Sequence, residues 1–282
     1  MCCFSGRSAA VEVANTRIYA RRRGDRQLLV YDMRVRASEP VAMVLPLHVV
    51  PGSGADALRF VDLSGMPGLF DDLERTFAPQ TLARGPAPRP AAPLKVERVG
   101  AFEASYVPTL ADFGRLDPRF RVDEALWRRL PGYAAAGFAV FKLRAGEQRV
   151  HPMAFEYAAR WPTWLFFPTV HIHDGTLAEQ ADFDHSLYFQ GYDFAVIDGE
   201  FFSVDRRLGD ARGVAGECSG ALVGTAVRGP LAAQLFELKR PIFRLRARER
   251  LSNDDMWVAP ADDDALTGCA GYGVSAWTPR PG

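Results

Sequence analysis

Two histidines separated by one residue, His171 and His173, are the side chains in this sequence most clearly placed to do chemistry. In an extended strand, residues i and i+2 point to the same face, so both imidazoles project together, opposite to Val170 and Ile172. A third imidazole, His185, follows twelve residues after His173, a separation that one loop can close. Imidazole nitrogens bind both Zn and Cu. The three histidines therefore predict a transition-metal site that holds Zn or Cu.

A metal ion with an open coordination position activates a bound water, and hydrolysis by that water needs a nearby base. Asp174, which begins the turn signal Asp174-Gly175, and Asp184 are carboxylates close in sequence to the histidines. The sequence thus predicts metal-assisted hydrolysis with Asp174 or Asp184 as the base. The non-enzymatic alternative is a binding or scaffold module whose histidines line only the polar face of a half-buried strand.

Cys2 and Cys3, at the start of the chain, offer a second chemistry. Removal of Met1 leaves an α-amino group with a pKa of ~7.8 beside a thiol with a pKa of ~8.5. N-terminal-nucleophile hydrolases use such an amine to activate their own side chain, so a metal-free amidohydrolase with Cys2 as the nucleophile is an alternative function. In the metal hypothesis, Cys2 and Cys3 complete a nitrogen and sulfur ligand set with the histidines. A frayed terminus without a role is the remaining interpretation.

Two further segments carry weaker signals. The segment Gly216-Glu217-Cys218-Ser219-Gly220 has the glycine spacing of a nucleophile elbow, but no histidine follows His185, so we interpret it as a glycine-rich loop. Residues 243–251 alternate so that four arginines share one face of an extended strand. That face either binds anions or is simply solvated, and the aspartates that follow it favour the second reading. Phosphate-loop and dinucleotide glycine patterns are missing, so no nucleotide cofactor is expected.

The composition is that of an ordinary globular protein. The chain has 282 residues, of which 48% are hydrophobic and 24% charged, so it is long enough to bury a core without disulfides. Its 34 basic and 34 acidic residues cancel, which removes the long-range field that nucleic-acid and anionic-membrane binders use. We expect one compact domain over residues 1–282 and no nucleic-acid partner. A small-molecule or peptide ligand remains open, and the oligomeric state is not determined.

The chain start and the cysteines bear on the compartment. The first residues lack the apolar segment behind a positive charge that marks a secretory signal. The longest nearly apolar stretch, residues 132–141, is far shorter than the ~20 residues of a membrane-spanning helix. Four cysteines are too few for a disulfide framework in a chain of this length, and a reducing cytosol keeps them as thiols. The sequence predicts a cytoplasmic protein with no membrane span.

Short apolar alternations separated by Gly, Pro and Asp predict an α+β fold that is mainly β. We expect antiparallel sheets in sandwich or barrel-like packing with a few short helices. Residues 11–50 predict a meander of three strands, with Pro46 at a sheet edge or a bulge because proline cannot donate to a ladder. Residues 78–94 carry five prolines and predict an exposed insertion or linker. The predicted helices cover residues 55–61, 67–77, 122–130 with Asp123 as the N-cap, and 231–239.

The order of several short segments over residues 1–160 resembles an uncharacterised bacterial family, a domain of unknown function whose mature members begin with a Cys-Gly-Gly-like segment. The matching segments are the N-terminal cysteines, Val44-Leu45-Pro46, Val99-Gly100-Ala101-Phe102-Glu103, Gly132-Tyr133, Gly137-Phe138-Ala139-Val140-Phe141-Lys142-Leu143 and His151-Pro152-Met153. Members of that family have a secretory signal, which this chain lacks, and Cys3 stands where the family has a glycine. The resemblance implies a β-rich fold with a notable N-terminal cysteine, and it implies no reaction.

Overall fold

The computed structural model describes residues 2–5, 10–77, 103–162, 164–172, 175–190, 214–219 and 221–258. Within these ranges the chain is mainly β, with short helices, as the composition and alternation predict. The strands are β1 (Cys2–Phe4), β2 (Val11–Arg23), β3 (Arg26–Ala37), β4 (Val41–Leu47), β5 (Leu58–Val61), β6 (Ala104–Val107), β7 (Gly137–Leu143), β8 (Gly146–Ala158), β9 (Leu165–Phe167), β10 (His171–Ile172), β11 (Gln180–Gln190), β12 (Val214–Cys218), β13 (Phe243–Ser252) and β14 (Met256–Val258). The α-helices are α1 (Leu69–Arg75), α2 (Glu124–Arg128), α3 (Val223–Ala226) and α4 (Ala232–Leu235).

The strands form two large sheets and one small one. The seven-stranded sheet has the order β12-β13-β11-β2-β3-β8-β5, and the five-stranded sheet has the order β10-β1-β4-β7-β6. Strands β9 and β14 form a separate antiparallel pair. Most neighbours are antiparallel, with parallel contacts at β1/β10 and β11/β2. Neither large sheet closes on itself within the described residues, so sandwich packing is confirmed and a barrel is not formed.

The main hydrophobic core lies between the two large sheets. Ile18 and Leu29 of the seven-stranded sheet belong to the same buried cluster as Met43, Leu45 and Phe141 of the five-stranded sheet. Alternate residues on each strand must therefore point away from this core, since successive side chains leave a strand on opposite faces. Those outward residues are also buried, which requires further layers outside the sandwich.

Short helices and helical turns supply these outer layers. On the five-stranded sheet, Val44 and Val140 pack against Phe113 and Trp127. On the seven-stranded sheet, a cluster that includes Tyr19 and Val30 packs against helix α1 through residues such as Phe70. The outer face of the seven-stranded sheet is thus covered by α1 over only part of its area, because α1 has seven residues.

The predicted meander is correct for two strands only. Gly24 has a φ of +65° and begins the two-residue turn that joins β2 and β3 as a hairpin. Strand β4 leaves this sheet and pairs with β1 and β7. Pro46 lies in this interior strand, where the expectation was an edge or a bulge. The pairing of β4 with β1 covers only Met43 and Val44, so the missing N–H of Pro46 falls beyond the end of β1.

The sequence predicted the signal at the start of a helix more accurately than it predicted the lengths of the helices. Asp123 caps α2, as expected, by accepting a hydrogen bond from the Ala125 N–H. The helix predicted over residues 55–61 is wrong, because that segment is a single helical turn followed by β5, an edge strand paired with β8. The loop predicted around Cys218 is also wrong in part. Residues up to Cys218 form β12, which pairs with β13 through backbone bonds that any residue type can make.

One expectation concerns a segment outside the described residues. The proline-rich segment 78–94, expected as an exposed insertion or linker, lies outside them. Among the described residues, no helix has the length and hydropathy that crossing a membrane requires.

Candidate functional site

The imidazoles of His171 and His185 meet at the edge of the sandwich. His171 lies on β10, the edge strand of the five-stranded sheet, and His185 lies on β11 of the seven-stranded sheet. Val170 and Ile172 are buried in the outer cluster of the five-stranded sheet, so His171 points the other way, toward the seven-stranded sheet. The alternation predicted from the sequence is therefore confirmed for these residues. His185 alternates with Asp184 and Ser186 and shares the inner face of β11 with the core residue Leu187.

The two rings lean together at their Nε2 atoms. The Nε2 atoms are 3.3 Å apart, while the ring centroids are 4.9 Å apart with an interplanar angle of 29°. Because the centroids are farther apart than the nitrogens, the two rings approach each other through their Nε2 ends. When one Nε2 carries hydrogen, it donates to the lone pair of the other, which is then in the Nδ1–H tautomer.

An apolar wall supports this histidine pair. The ring of Phe183, two residues before His185 on the same face of β11, stacks on His171 with a centroid distance of 4.5 Å and an angle of 24°. Phe183 also lies 5.2 Å from the His185 ring. Phe183 is buried and His185 is only 3% exposed, whereas His171 is partly exposed. The pair is thus accessible from the His171 side and closed on the His185 side.

A side-chain clamp holds the backbone of His171 in place. Asn253, just after β13, accepts a hydrogen bond from the His171 N–H through Oδ1 at 2.6 Å. Its Nδ2 donates to the carbonyl oxygens of His171 at 2.9 Å and Ala178 at 3.0 Å. One amide side chain therefore replaces a neighbouring strand at the exposed edge of β10. Nothing in the local sequence around Asn253 signals this role, because its partners lie 82 and 75 residues away.

Asp255 extends the same clamp along the chain. Its Oδ1 accepts from the N–H groups of Thr169 at 3.0 Å and Val170 at 3.4 Å, and its Oδ2 accepts from the Tyr133 hydroxyl. The two residues at the β13–β14 connection, Asn253 and Asp255, thus fix the backbone over 169–171. They connect the position of His171 to the seven-stranded sheet that carries His185.

The structure places the N-terminal cysteines in two different ways. The parallel pairing of β1 with β10 sets the Cα of Cys2 opposite that of His171 and the Cα of Cys3 opposite that of Ile172. The Cys3 side chain is fully buried in the cluster that contains Ile172, on the face of the five-stranded sheet opposite to His171. The structure therefore does not bring Cys3 to the histidines. The side chain of Cys2 lies outside the described residues.

The remaining candidate site residues are His173, Asp174 and Asp184. His173 and Asp174 lie outside the described residues. Asp184 faces the outer side of the seven-stranded sheet, where its Oδ1 is ion-paired with Arg248 at 2.5 Å, so it is on the opposite face from His185. Among the described side chains, no group of three or more His, Cys, Asp or Glu is arranged to hold a metal ion. The described part of the site is therefore two nitrogens, with Phe183 and Asn253 as the supporting residues that the sequence analysis missed.

Comparison with known proteins identifies distant structural neighbours only. No protein-family model and no curated protein sequence matches the chain, so the resemblance to the bacterial family stays a prediction. The crystal structure of baculovirus P35 is similar with a TM-score of 0.47 and 14% identity over 88% of this chain and 96% of that chain. A mutated baculovirus P35 after caspase cleavage gives a TM-score of 0.42 and 14% identity over 86% of this chain and 98% of that chain. At these levels of similarity the comparison assigns no function to the chain.

Proposed function

We propose that the protein binds a transition-metal ion, Zn or Cu, with His171 and His185 as two of its ligands. The observation that carries this proposal is the separation of the two Nε2 atoms. With Zn–N bonds of about 2.0 to 2.1 Å and a tetrahedral angle, two ligating nitrogens lie about 3.3 Å apart. The observed distance is 3.3 Å, and the two rings approach each other through these atoms. A metal ion would replace the proton shared between the rings.

Two nitrogens do not complete a metal site, and the backbone suggests where a third ligand comes from. Cys2 is set opposite His171 by the β1/β10 pairing, so it is the residue to test first as a thiolate ligand. His173, two residues after His171, is the second candidate. Two imidazoles with one thiolate form a borderline-soft set that suits Zn or Cu. An open fourth position would bind water, and hydrolysis would then need a base; Asp174 stays the candidate, since Asp184 is ion-paired with Arg248 on the other face.

Metal titration of tag-free protein tests the proposal. We expect about one equivalent of Zn to bind the wild type, and His171→Asn and His185→Asn each to weaken binding about 100-fold or more. His151→Asn is the matched control, because His151 lies on β8, three strands from β11 in the same sheet. Cys2→Ser tests the third ligand. If His173 can take the place of Cys2, this change should weaken Zn binding less than the loss of an imidazole does.

The results that contradict the proposal are defined by the same titration. Absence of saturable Zn or Cu binding by the wild type would remove the metal site. Equal weakening by His151→Asn would show that binding is not located at the pair. Undiminished binding of both ions by His171→Asn and His185→Asn would also contradict it.

A second candidate function rests on the backbone register of Cys2. In a metal-free amidohydrolase, Cys2 is the nucleophile, its α-amino group is the base, and His171 is the nearest imidazole along the β1/β10 ladder. Intact mass decides whether Met1 is removed, since retained Met1 leaves Cys2 without a free amine. If Met1 is removed and Zn does not bind, reaction of Cys2 with iodoacetamide should slow in His171→Asn but not in His151→Asn.

A further inference from the structure

The outer face of the seven-stranded sheet carries a polar cleft on the side opposite to the histidine pair. Its volume is about 350 Å³, within the range of sites for small ligands. We name it the outer cleft, and its lining residues are Asn15, Thr16, Arg17, Asp32, Met33, Arg34, Asp71, Glu74, Asp184, Ser186, Arg246 and Arg248. They come from four adjacent strands, β13, β11, β2 and β3, and from helix α1, which forms one wall.

A bulge in β2 shapes this cleft. The register of β2 with β3 shifts between Ala14 and Arg17, so Asn15 and Thr16 together lie opposite Met33 and β2 carries one extra residue. Asn15 adopts a φ of +53°, an uncommon conformation outside glycine that asparagine tolerates better than most residues. Its N–H donates to Asp184 Oδ2 at 3.0 Å. Bulges of this kind are frequent beside binding sites, because they re-aim side chains and interrupt the ladder.

The carboxylates of the outer cleft already have cationic partners. Arg17 bonds to Asp32 and, at 2.7 Å, to Asp71. Arg248 pairs with Asp184. Glu74 accepts from Arg244, which lies behind the cleft, and from the hydroxyl of Tyr188. Each of the four carboxylates in the lining therefore already has an arginine partner, and Arg17 serves two of them.

Two polar side chains of the outer cleft have no such partners among the described residues: Ser186 at its floor and Arg34 at its rim. Ser186 is only 7% exposed, and its hydroxyl makes no hydrogen bond to a described residue. Its neighbours in the core, His185 and Leu187, point inward, so the Ser186 hydroxyl points into the outer cleft. Ser186 lies between Arg246 on β13 and Arg17 on β2 in the sheet register. Arg34, at the rim on β3, is exposed and makes no ion pair within the described part of the chain.

We propose that the outer cleft binds a small molecule through an oxyanion, either a carboxylate or a phosphate, that accepts hydrogen bonds from Ser186 and Arg34. A buried hydroxyl between strands that carry arginines offers donors to an anion, and each lining carboxylate already accepts from an arginine. With Arg244 added to the four lining arginines, five positive charges face four carboxylates, an excess of one, and Arg34 makes no ion pair within the described part of the chain. This site is independent of the metal proposal, because it lies on the other face of β11.

Calorimetric titration at low ionic strength, with inorganic phosphate in one arm and citrate in the other, tests the proposal and separates phosphate from carboxylate ligands. We expect saturable binding of at least one anion, and Ser186→Ala and Arg34→Gln each to weaken it about tenfold. Arg36→Gln is the matched control. Arg36 is on the same face of β3, outside the cleft, and forms exposed pairs with Glu12 and Glu147.

Each result bears on the proposal. Binding lost in Ser186→Ala and Arg34→Gln but kept in Arg36→Gln supports the site and, through the arm that binds, names the anion. No saturable binding of either anion by the wild type at about 10 mM overturns the proposal. Equal weakening by Arg36→Gln also overturns it, because it would show general charge attraction. Both cleft substitutions remove only a hydroxyl or an exposed charge, so the variants are expected to fold.

Discussion

Replacing Asn253 with alanine tests whether the clamp on His171 positions the histidine pair. The change removes three hydrogen bonds, at 2.6, 2.9 and 3.0 Å, that hold His171 and Ala178. A hydrogen bond contributes about 1 kcal/mol net to stability, so their loss sums to about 3 kcal/mol. Water can reach the partly exposed His171 and replace some of them, which reduces the expected cost to about 2 to 3 kcal/mol. For a chain of this size that cost lowers the melting temperature by about 5 to 10 °C.

Gln27→Ala is the matched control for Asn253→Ala. Gln27 is 1% exposed and clamps the backbone of Phe166 in the same way, with Nε2 donating to the carbonyl at 2.7 Å and Oε1 accepting from the N–H at 3.0 Å. The substitution leaves two buried backbone groups without partners. Each costs about 1 kcal/mol or more, so the total is similar, about 2 to 3 kcal/mol. Phe166 lies on β9, in a different sheet from β10, so Gln27 does not hold His171.

The assay that separates the two variants is Zn titration alongside chemical denaturation. Residues that orient metal ligands typically change affinity 10- to 100-fold, so we expect Asn253→Ala to bind Zn about tenfold more weakly than the wild type. Gln27→Ala should lose stability and keep wild-type affinity. The positioning role is refuted if Asn253→Ala binds Zn as the wild type does, or if Gln27→Ala weakens binding by the same factor.

Two further expectations concern stability alone. Glu74→Gln should destabilise the protein by about 1 to 3 kcal/mol, because it leaves buried Arg244 without its counter-charge while the partial exposure of Glu74 limits the loss. Burial alone would raise the pKa of Glu74, but the Tyr188 hydroxyl and Arg244 hold that pKa below its ordinary value of 4.5. The stability that the Glu74 carboxylate contributes is therefore present above pH 4.5 and is lost as the pH falls through the folded-state pKa. The free energies of unfolding of the variant and the wild type, measured by denaturant curves, should therefore converge in acid and not in base. Gly224→Ala should cost about 1 to 3 kcal/mol in the same assay, since its Cβ would lie 2.8 Å from the Leu238 carbonyl oxygen; a variant as stable as the wild type would contradict that packing.

The sequence determined the features that depend on neighbouring residues. The alternation around His171 predicted which face the imidazole takes, since period-2 geometry follows from the extended backbone alone. The alternation over residues 11–50 predicted that β2 and β3 are consecutive paired strands, and Asp123 predicted the start of α2. Short strands with few helices were likewise visible in the spacing of apolar residues. Each of these signals is contained within a few residues of chain.

The tertiary structure alone decided how these elements meet. Strand β4 joins a different sheet from β3, although the two are adjacent in the chain. His185, but not Cys3, comes to His171 because β10 and β11 belong to sheets that face each other. Asn253 reaches His171 across 82 residues of sequence. Contacts of this kind depend on which sheet each strand enters, and that choice is set by burial of whole faces in the common core, which local residue patterns do not encode.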